Sequence, residues 1–565
     1  MVRITIACAR CRSSKVKCIH DGAPPCRGCV KAGQTEPGLC ILSGPELKPR
    51  IRHSRAQQAS TFSQRRNETP ETTLAATPAL APSLTESSAL SLADLLQTAT
   101  LFIKKFPELG FIHRPTFSHD LKEDDPSIRS KAELLGCALA ALCSPLKGCK
   151  NQPHSALVDR LSHTATPNIY IVQALLVMSM FEWGQGNVHI AWMHSGTAIR
   201  MVQILDTVAS KSVTPSSTNE IYNRTLWGCF VMDRLVFSGK HQPLCLPLDA
   251  LNTHWPVSDT DYAFSSSKIA HYRVPGTFPM TMDYSHAILV RGFDIWARIH
   301  HWVVSGGRRR ADMLLDTSLP WEETSLWMEM RRQLQEWRDA QDPSLWYPDN
   351  LVSICTLLGK GEVFGFINLI YFVSILFLNR EYIPFLPWPT SIPHGPVDPP
   401  LLPSRAPAEW WETRAAELFD AASCITRLLA DLDDEGAPLD TPFAAFCNFS
   451  AATMNIYISC FPTMNLDRSG QITTVLEKNL AYLDRFRSMW PIGQGWWMTV
   501  QRTKALYERH SQNPEKYLGK TRDDFVSLEA SIQDVTGATP SEAHGQDQEQ
   551  QPGGDAVADE PGHAF

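Results

Sequence analysis

The chain has 565 residues, of which 43% are hydrophobic and 16 are tryptophan, so it is too long for one core and should form two or more domains. Its net charge of −7 is unevenly distributed: residues 1–66 contain 13 Lys and Arg against 3 Asp and Glu, and the remainder has a net charge of −17. A basic arm on an acidic body is typical of a protein that presents one end to a polyanion. The first residues contain no apolar stretch long enough for a signal peptide, so secretion is not expected.

Six cysteines near the start of the chain have the spacing C-x2-C-x6-C-x7-C-x2-C-x10-C; they are Cys8, Cys11, Cys18, Cys26, Cys29 and Cys40. In a reducing compartment clustered thiols favour metal over disulfides, and a C-x2-C pair lets two thiolates bind one zinc ion. Two separate tetrahedral zinc ions have eight coordination positions, which six thiolates cannot fill. Either one ion has spare ligands, or two ions share two bridging sulfurs. The quasi-repeat favours the shared arrangement; a different zinc site and unliganded thiols are the alternatives.

Four basic residues lie among the first three of these cysteines: Arg10, Arg12, Lys15 and Lys17. Two Zn²⁺ ions and six thiolates have a combined charge of −2. The basic side chains are close enough in sequence to offset that charge and to lower the pKa of the thiols.

The segment "CARCRSSKVKC" and the cysteines after it resemble the binuclear zinc cluster of fungal transcription regulators, a DNA-binding module. The resemblance implies that Cys8 and Cys26 bridge two zinc ions, and that a short helix after the first cysteine pair enters the major groove. It also implies that Lys15 reads a CGG triplet, a role that suits lysine because guanine presents paired acceptors. The ten-residue gap before Cys40 is longer than the family usually shows, and Ser14 stands where a further basic residue is common.

The next segment is basic and then rich in Thr, Pro, Ala and Ser. Pro45 and Pro49 interrupt residues 41–66 and no heptad is visible, so dimerisation through a coiled coil is unsupported there. Its basic residues are expected to contact phosphates or to direct nuclear import, with a solvated linker as the alternative; they are Lys48, Arg50, Arg52 and Arg55. Residues 67–88 are expected to be a disordered linker.

Helical periodicity begins near Leu92. Residues 171–183 and 188–205 predict two helices joined by "GQGN", and residues 220–239 predict a third that ends at Gly239. The apolar run 363–378 contains only 16 residues, including Asn368, which is short of the roughly 20 needed to span a bilayer, so a buried core helix is expected. Long periodic segments with little strand alternation predict an all-α body.

Several of these runs resemble the helical middle region of the same regulators, in the expected order: "FPELGFIHRPTF", "WGQGN", "TLWGCFVMDRLVFSGK" and "LFLNREYIPFLP". The resemblance implies a domain that restrains or relays activation. His113 and Arg114 could form a polar site, but a turn before Pro115 is the simpler interpretation.

Enzyme signatures are incomplete. His189 and His194 lack the glutamate and the spacing of H-E-x-x-H, and "LGKT" at Lys520 lacks the upstream glycine of a phosphate-binding loop. We therefore predict a protein that is not an enzyme.

The predicted fold is a small N-terminal binuclear zinc cluster domain plus a large all-α regulatory domain, with a disordered linker and C-terminal tail. The predicted boundaries are 1–42 for the zinc cluster, 43–90 for the basic arm and linker, 91–534 for the helical domain and 535–565 for an acidic tail. The predicted function is a nuclear regulator of RNA polymerase II transcription with two Zn²⁺ ions that binds CGG-containing DNA. By resemblance, it would control a metabolic or secondary-metabolite gene cluster. A homodimer and transcriptional co-regulators are candidate partners, and no membrane is expected. The alternative is a helical scaffold whose zinc module binds protein.

Overall fold

The computed structural model describes residues 7–8, 26–31, 42–43, 90–148, 166–209, 216–236, 244–266, 270–393, 395 and 398–535. The chain divides into two compact units, Met1–Thr85 and Glu86–Phe565. The predicted basic arm and linker (43–90) and the predicted acidic tail (535–565) lie outside the described residues, except for residues 43, 90 and 535 at their edges.

The N-terminal unit contains one strand pair and one short helix among its described residues. Strand β1 (Ala7–Cys8) pairs antiparallel with β2 (Leu42–Ser43), with Cys8 opposite Leu42. Helix α1 (Arg27–Lys31) begins directly after Cys26. The strand pair joins the two ends of residues 8–42, the segment that contains all six clustered cysteines.

The second unit is built mainly of helices over its described residues, with one isolated β-bridge between His254 and Arg273. In chain order its α-helices are α2 (Leu92–Lys105), α3 (Arg114–Asp120), α4 (Pro126–Cys143), α5 (Ile169–Gly184), α6 (Val188–Ala209), α7 (Ser216–Leu235), α8 (Asp259–Phe264), α9 (Ser285–Val304), α10 (Leu326–Asp339), α11 (Val352–Leu357), α12 (Gly361–Arg380), α13 (Trp410–Asp434), α14 (Pro442–Cys460), α15 (Ser469–Met489), α16 (Ile492–Gln512) and α17 (Val526–Gln533). Short 3-10 helices connect several of them, including Pro107–Leu109, Gly307–Arg309 and Arg522–Phe525. The prediction of an all-α body is confirmed for this part of the chain.

Local sequence signals define several helix starts. At α2 the Ser91 hydroxyl accepts from the Asp94 N–H at 3.1 Å, and the Asp94 carboxylate accepts from the Ser91 N–H at 3.2 Å. At α4 the Asp125 carboxylate accepts from the Ser127 N–H at 2.8 Å, and Pro126 occupies the first turn. These caps satisfy amides that have no partner within the helix.

The predicted helix pair is present as α5 and α6, which pack against each other. Gly186, at φ 81°, makes the turn between them, and the Asn187 amide donates to the Glu182 carboxylate at 2.7 Å. The face of α6 that repeats at helical spacing is buried at Ala191, Ser195, Ala198, Ile199 and Val202, and Leu205 on the same face is half-buried. Helix α7 ends at Leu235, earlier than predicted, and Gly239 lies outside the described residues.

Helix α12 is long and apolar enough to cross a membrane by length and composition, but 94% of its most apolar window is buried in the protein. It packs against α9, α13 and α14, which confirms the predicted core helix. Asn368 is fully bonded there: its amide donates to the Phe364 carbonyl at 2.8 Å, and its oxygen accepts from Arg338 at 2.9 Å and from the Tyr347 N–H at 3.0 Å. This explains how an asparagine fits inside an apolar helix.

An aromatic core joins the middle helices to the C-terminal ones. The Phe443 ring contacts the Trp296 ring at 5.4 Å between centroids, and Phe446 contacts Trp496 at 6.0 Å. At α9, the position where a Cβ on Gly292 would lie is 2.7 Å from the Trp337 ring, so only glycine allows this close approach. Burial of large rings is the main source of stability in such a unit.

The end of the described chain is held at this core by three backbone carbonyls. The Gln533 carbonyl accepts from His300 at 3.2 Å, the Asp534 carbonyl from Trp496 at 3.1 Å, and the Val535 carbonyl from Trp183 at 3.0 Å. Because a carbonyl can only accept, His300 carries its proton on Nε2. Burial lowers the pKa of His300 to about 4, so the ring is neutral.

Candidate metal centre and buried polar sites

Cys26 and Cys29 form one turn at the start of α1. The Cys29 N–H donates to the Cys26 carbonyl at 3.0 Å, and both side chains are completely buried. Arg27 and Lys31 on the same helix are exposed. A five-residue helix is too short to be stable alone, so the inward-facing thiols require something to organise them. This donor set fits the C-x2-C part of a structural zinc site.

The remaining predicted site residues are described only in part. Cys8 is placed by its backbone, opposite Leu42, and nothing of its side chain is described. The residues that lie outside the described part of the chain are Cys11, Cys18, Cys40, Arg10, Arg12, Lys15, Lys17, Lys48, Arg50, Arg52 and Arg55. Among the described residues no group of three or more metal-binding side chains comes together, and the zinc cluster stays a prediction because four of its six side chains are not among them.

His113 and Arg114 form a helix start rather than a polar site open to a ligand. The His113 ring accepts from the Thr116 N–H at 3.4 Å through Nδ1, and its Nε2 lies 3.2 Å from the Ser265 hydroxyl. Burial lowers the pKa of His113. The predicted turn before Pro115 is therefore the first turn of α3, with His113 as its cap.

Glu108 was not singled out by its sequence, but it is completely buried. Neither of its carboxylate oxygens has a hydrogen-bond partner, and burial raises its pKa to about 8. The side chain is therefore protonated at neutral pH, since burial penalises the charged form. Nearby, His286 lies 3.4 Å from the Pro107 carbonyl, and burial lowers its pKa to about 3.

A buried polar network joins α13, α14 and α15, and sequence reasoning missed it. The Asn455 amide donates to Thr426 at 3.2 Å and to the Asn479 side-chain oxygen at 2.6 Å. The Asn479 amide donates to Thr426 at 2.8 Å and to Asn448 at 2.7 Å. The available signal was the spacing of Asn448 and Asn455, which are seven residues, or two turns, apart on an otherwise apolar helix.

Comparison with known proteins identifies similarity in the helical unit. Residues 100–339 match the model of the fungal specific transcription factor domain. The Zn(2)-C6 fungal-type transcription factor FTF1c of Fusarium oxysporum is 24% identical over 70% of this chain and 43% of its own length. The corresponding factor FTF2 is 23% identical over 70% of this chain and 38% of its own length. An uncharacterized transcriptional regulatory protein of Schizosaccharomyces pombe is 23% identical over 63% of this chain and 54% of its own length.

The chain thus spans about half or less of the length of these relatives. No solved structure matches it. The matching domain and the names of the relatives support the predicted resemblance to fungal transcription regulators.

Proposed function

We propose that the chain is a nuclear, sequence-specific DNA-binding regulator of transcription with two zinc ions in its N-terminal unit. The observation that carries the proposal is the six-cysteine spacing, in which Cys26 and Cys29 are buried side by side and Cys8 pairs with Leu42 across the ends of the cluster. The match of residues 100–339 and the Zn(2)-C6 names of the relatives support it. The helical unit would then control the output of the DNA-bound protein.

The zinc ligands in this proposal are Cys8, Cys11, Cys18, Cys26, Cys29 and Cys40, with Cys8 and Cys26 shared between the ions. Bound zinc would supply the folding free energy that a segment of this size cannot obtain from an apolar core. Elemental analysis of the purified full chain tests this directly. Two zinc ions per chain are expected, and Cys8→Ala should release both; a single firmly bound ion contradicts the shared-thiolate arrangement.

The DNA contacts in this proposal divide between bases and phosphates. Lys15 would read guanines of a CGG site, while other basic residues would neutralise phosphates; these are Arg10, Arg12, Lys17, Lys48, Arg50, Arg52 and Arg55. The resemblance further predicts that the bound sites lie in a metabolic or secondary-metabolite gene cluster. Mapping the sites bound by the intact protein, with transcript changes on its deletion, tests that part.

Two alanine variants separate base reading from phosphate contact. Lys15→Ala should reduce the preference for CGG over a scrambled site by about tenfold or more, because a good base contact contributes about 1–3 kcal/mol of discrimination. Arg50→Ala should weaken all sequences alike and lower the slope of log affinity against log salt by about one. The measurement is fluorescence anisotropy of labelled duplexes titrated with the full chain over a range of salt concentrations.

Arg502→Ala is the matched control, because Arg502 is an exposed arginine on α16 of the helical unit. It should leave both specificity and salt slope unchanged. Equal losses on every sequence for Lys15→Ala and Arg50→Ala would contradict the assigned roles. If zinc binds but no salt-sensitive, sequence-selective DNA binding is found, the zinc module is a protein-binding one, which is the alternative function.

A further inference from the structure

A cleft of about 420 Å³ lies between α13, the second half of α14 and the first two turns of α15. It is outside the 100–339 region that matches the transcription factor domain. Its lining residues combine charged, amide and apolar side chains. Small-molecule sites usually have volumes of roughly 300–1,000 Å³ and a few placed polar groups on apolar walls, so the cleft is of the right size for a small ligand.

The cleft carries two exposed charges that have no ionic partner among the described residues, Arg427 and Asp467. The Arg427 guanidinium on α13 donates to the Cys424 sulfur at 3.4 Å, and no described carboxylate lies within ion-pair distance of it. Asp467, in the turn before α15, likewise has no described cation within that distance. By contrast, the neighbouring Arg468 and Asp420 neutralise each other at 2.7 Å. A ligand therefore meets one available positive charge and one available negative charge.

Asn455 provides an independent sign that the cleft is built for a polar molecule. The residue lines the cleft, is completely buried, and uses its amide nitrogen to bond Thr426 and Asn479. Its side-chain oxygen has no hydrogen-bond partner. Leaving a buried acceptor unsatisfied costs about 1–3 kcal/mol, so a donor from a bound molecule would remove that penalty.

The start of α15 adds hydrogen-bond donors on the same wall. Gly470 and Gln471, in the first turn of this 21-residue helix, line the cleft, and no side chain caps the helix start. Backbone amides at a helix start attract anionic groups, in the same sense as Arg427. The remaining wall is apolar, with Phe419, Ile458 and Ile472 buried against it.

We infer that this cleft binds a small zwitterion of the α-amino-acid class, with an aliphatic or small aromatic side chain. Its carboxylate is recognised by Arg427 and the start of α15, and its ammonium by Asp467 and the unpartnered oxygen of Asn455. Its side chain lies on the apolar wall. The regulatory meaning of such binding rests on the proposed function, but the binding itself is a property of the helical unit.

The polar network also indicates how ligand binding would change the stability of the helical unit. Asn455 connects α14 to Thr426 on α13 and to Asn479 on α15. A ligand that bonds Asn455 therefore stabilises the junction of three helices, and a ligand that binds only the folded state raises the unfolding temperature.

The test is isothermal calorimetry and thermal unfolding of the full chain with each of the twenty standard L-amino acids. We expect at least one to give saturable heat with one site per chain and to raise the unfolding temperature. Two analogues of that amino acid, the acid without the amino group and the amine without the carboxyl group, should each bind at least about tenfold more weakly, because each loses a charge-assisted contact.

Two pairs of variants locate the site. Arg427→Gln should weaken binding at least about tenfold, and Arg502→Gln, at another exposed helix arginine, should not. Gly470→Trp should abolish binding by filling the cleft, and Gly470→Ala should retain it, since a Cβ at Gly470 meets no atom within 4 Å.

The absence of binding by every amino acid at 10 mM would overturn the inference, as would affinity that is unchanged in both Arg427→Gln and Gly470→Trp. Equal binding of the analogue without the amino group would overturn the zwitterion assignment. None of these outcomes bears on zinc content or DNA affinity, which are measured separately, so failure of this inference and failure of the proposed function are distinguishable.

Discussion

The two units of the chain differ in what can hold them together. Among the described residues, the N-terminal unit has a strand pair of two residues each, one helical turn and two buried thiols. The helical unit has a continuous apolar core that includes eight tryptophans less than 2% exposed. A segment without a core depends on a metal or on crosslinks, whereas a large unit depends on burial. The two should therefore respond to different perturbations.

The largest effect that the proposed function predicts is unfolding of the N-terminal unit when zinc is removed. A strong zinc chelator, or Cys29→Ala, should reduce affinity for DNA by about a hundredfold or more, because metal binding and folding are coupled in such modules. The helical content and unfolding temperature of the rest of the chain should stay unchanged. Circular dichroism melting and anisotropy on the same sample measure both.

Cys143→Ala is the control for the cysteine change, since Cys143 is a completely buried thiol of α4 in the helical unit. It should leave metal content and DNA binding intact. A chelator that also shifts the melting of the helical unit would contradict the independence of the two units.

The reciprocal perturbation is Trp337→Ala in the helical core. Trp337 is completely buried, packs on Gly292 and donates to the Ile288 carbonyl at 3.3 Å. Removing the ring should lower the free energy of unfolding by about 3–5 kcal/mol through lost burial and a cavity. Denaturant unfolding followed by tryptophan fluorescence measures the change, and zinc content should be unaffected. Loss of zinc in this variant would show that the units are coupled.

A smaller effect concerns pH and is confined to the helical unit. Burial raises the pKa of Glu108 from 4.5 to about 8, so the folded state retains a proton that the unfolded state has released. The contribution of this proton to the free energy of unfolding is therefore fully present below pH 4.5 and decreases as the pH rises towards 8. The decrease between pH 5 and pH 8 is about 3 kcal/mol. Glu108→Gln should flatten this dependence in denaturant unfolding measured at both values.

Glu323→Gln, at an exposed glutamate, is the control for Glu108 and should leave the pH dependence as it is. If the free energy of unfolding of Glu108→Gln depends on pH as that of the unchanged protein does, the Glu108 carboxyl is not the group that causes the pH dependence.

The sequence predicts structure correctly where the residue pattern of one segment is enough to determine its secondary structure. The apolar periodicity of 171–205 defines α5 and α6, and the length of the run around Asn368 defines a core helix. The spacing of the six cysteines predicts a zinc cluster by the same kind of local rule. Its shared ligands and its DNA contacts stay predictions, because most of those side chains lie outside the described residues.

Features that depend on tertiary neighbours could not be predicted. Nothing in "FPELGF" shows that Glu108 is buried, since glutamate is normally exposed. The cleft combines Arg427, Asn455 and Asp467 from three different elements, and only the packing of α13, α14 and α15 brings them together. Asn455 gave a partial signal because it lies on an apolar helix, but its missing partner is visible only in the folded structure.

The hydrogen bonds to the carbonyls of residues 533–535 constrain when the helical unit can complete its core during synthesis. Trp183 bonds the Val535 carbonyl across 352 residues, so a helix synthesised early receives this partner only after residue 535 has been translated. The helical unit therefore completes this part of its core only when synthesis has passed residue 535. A premature stop codon a few residues before Gln533 would leave the indole N–H groups of Trp183 and Trp496 buried without acceptors, whereas a stop after Val535 would spare them.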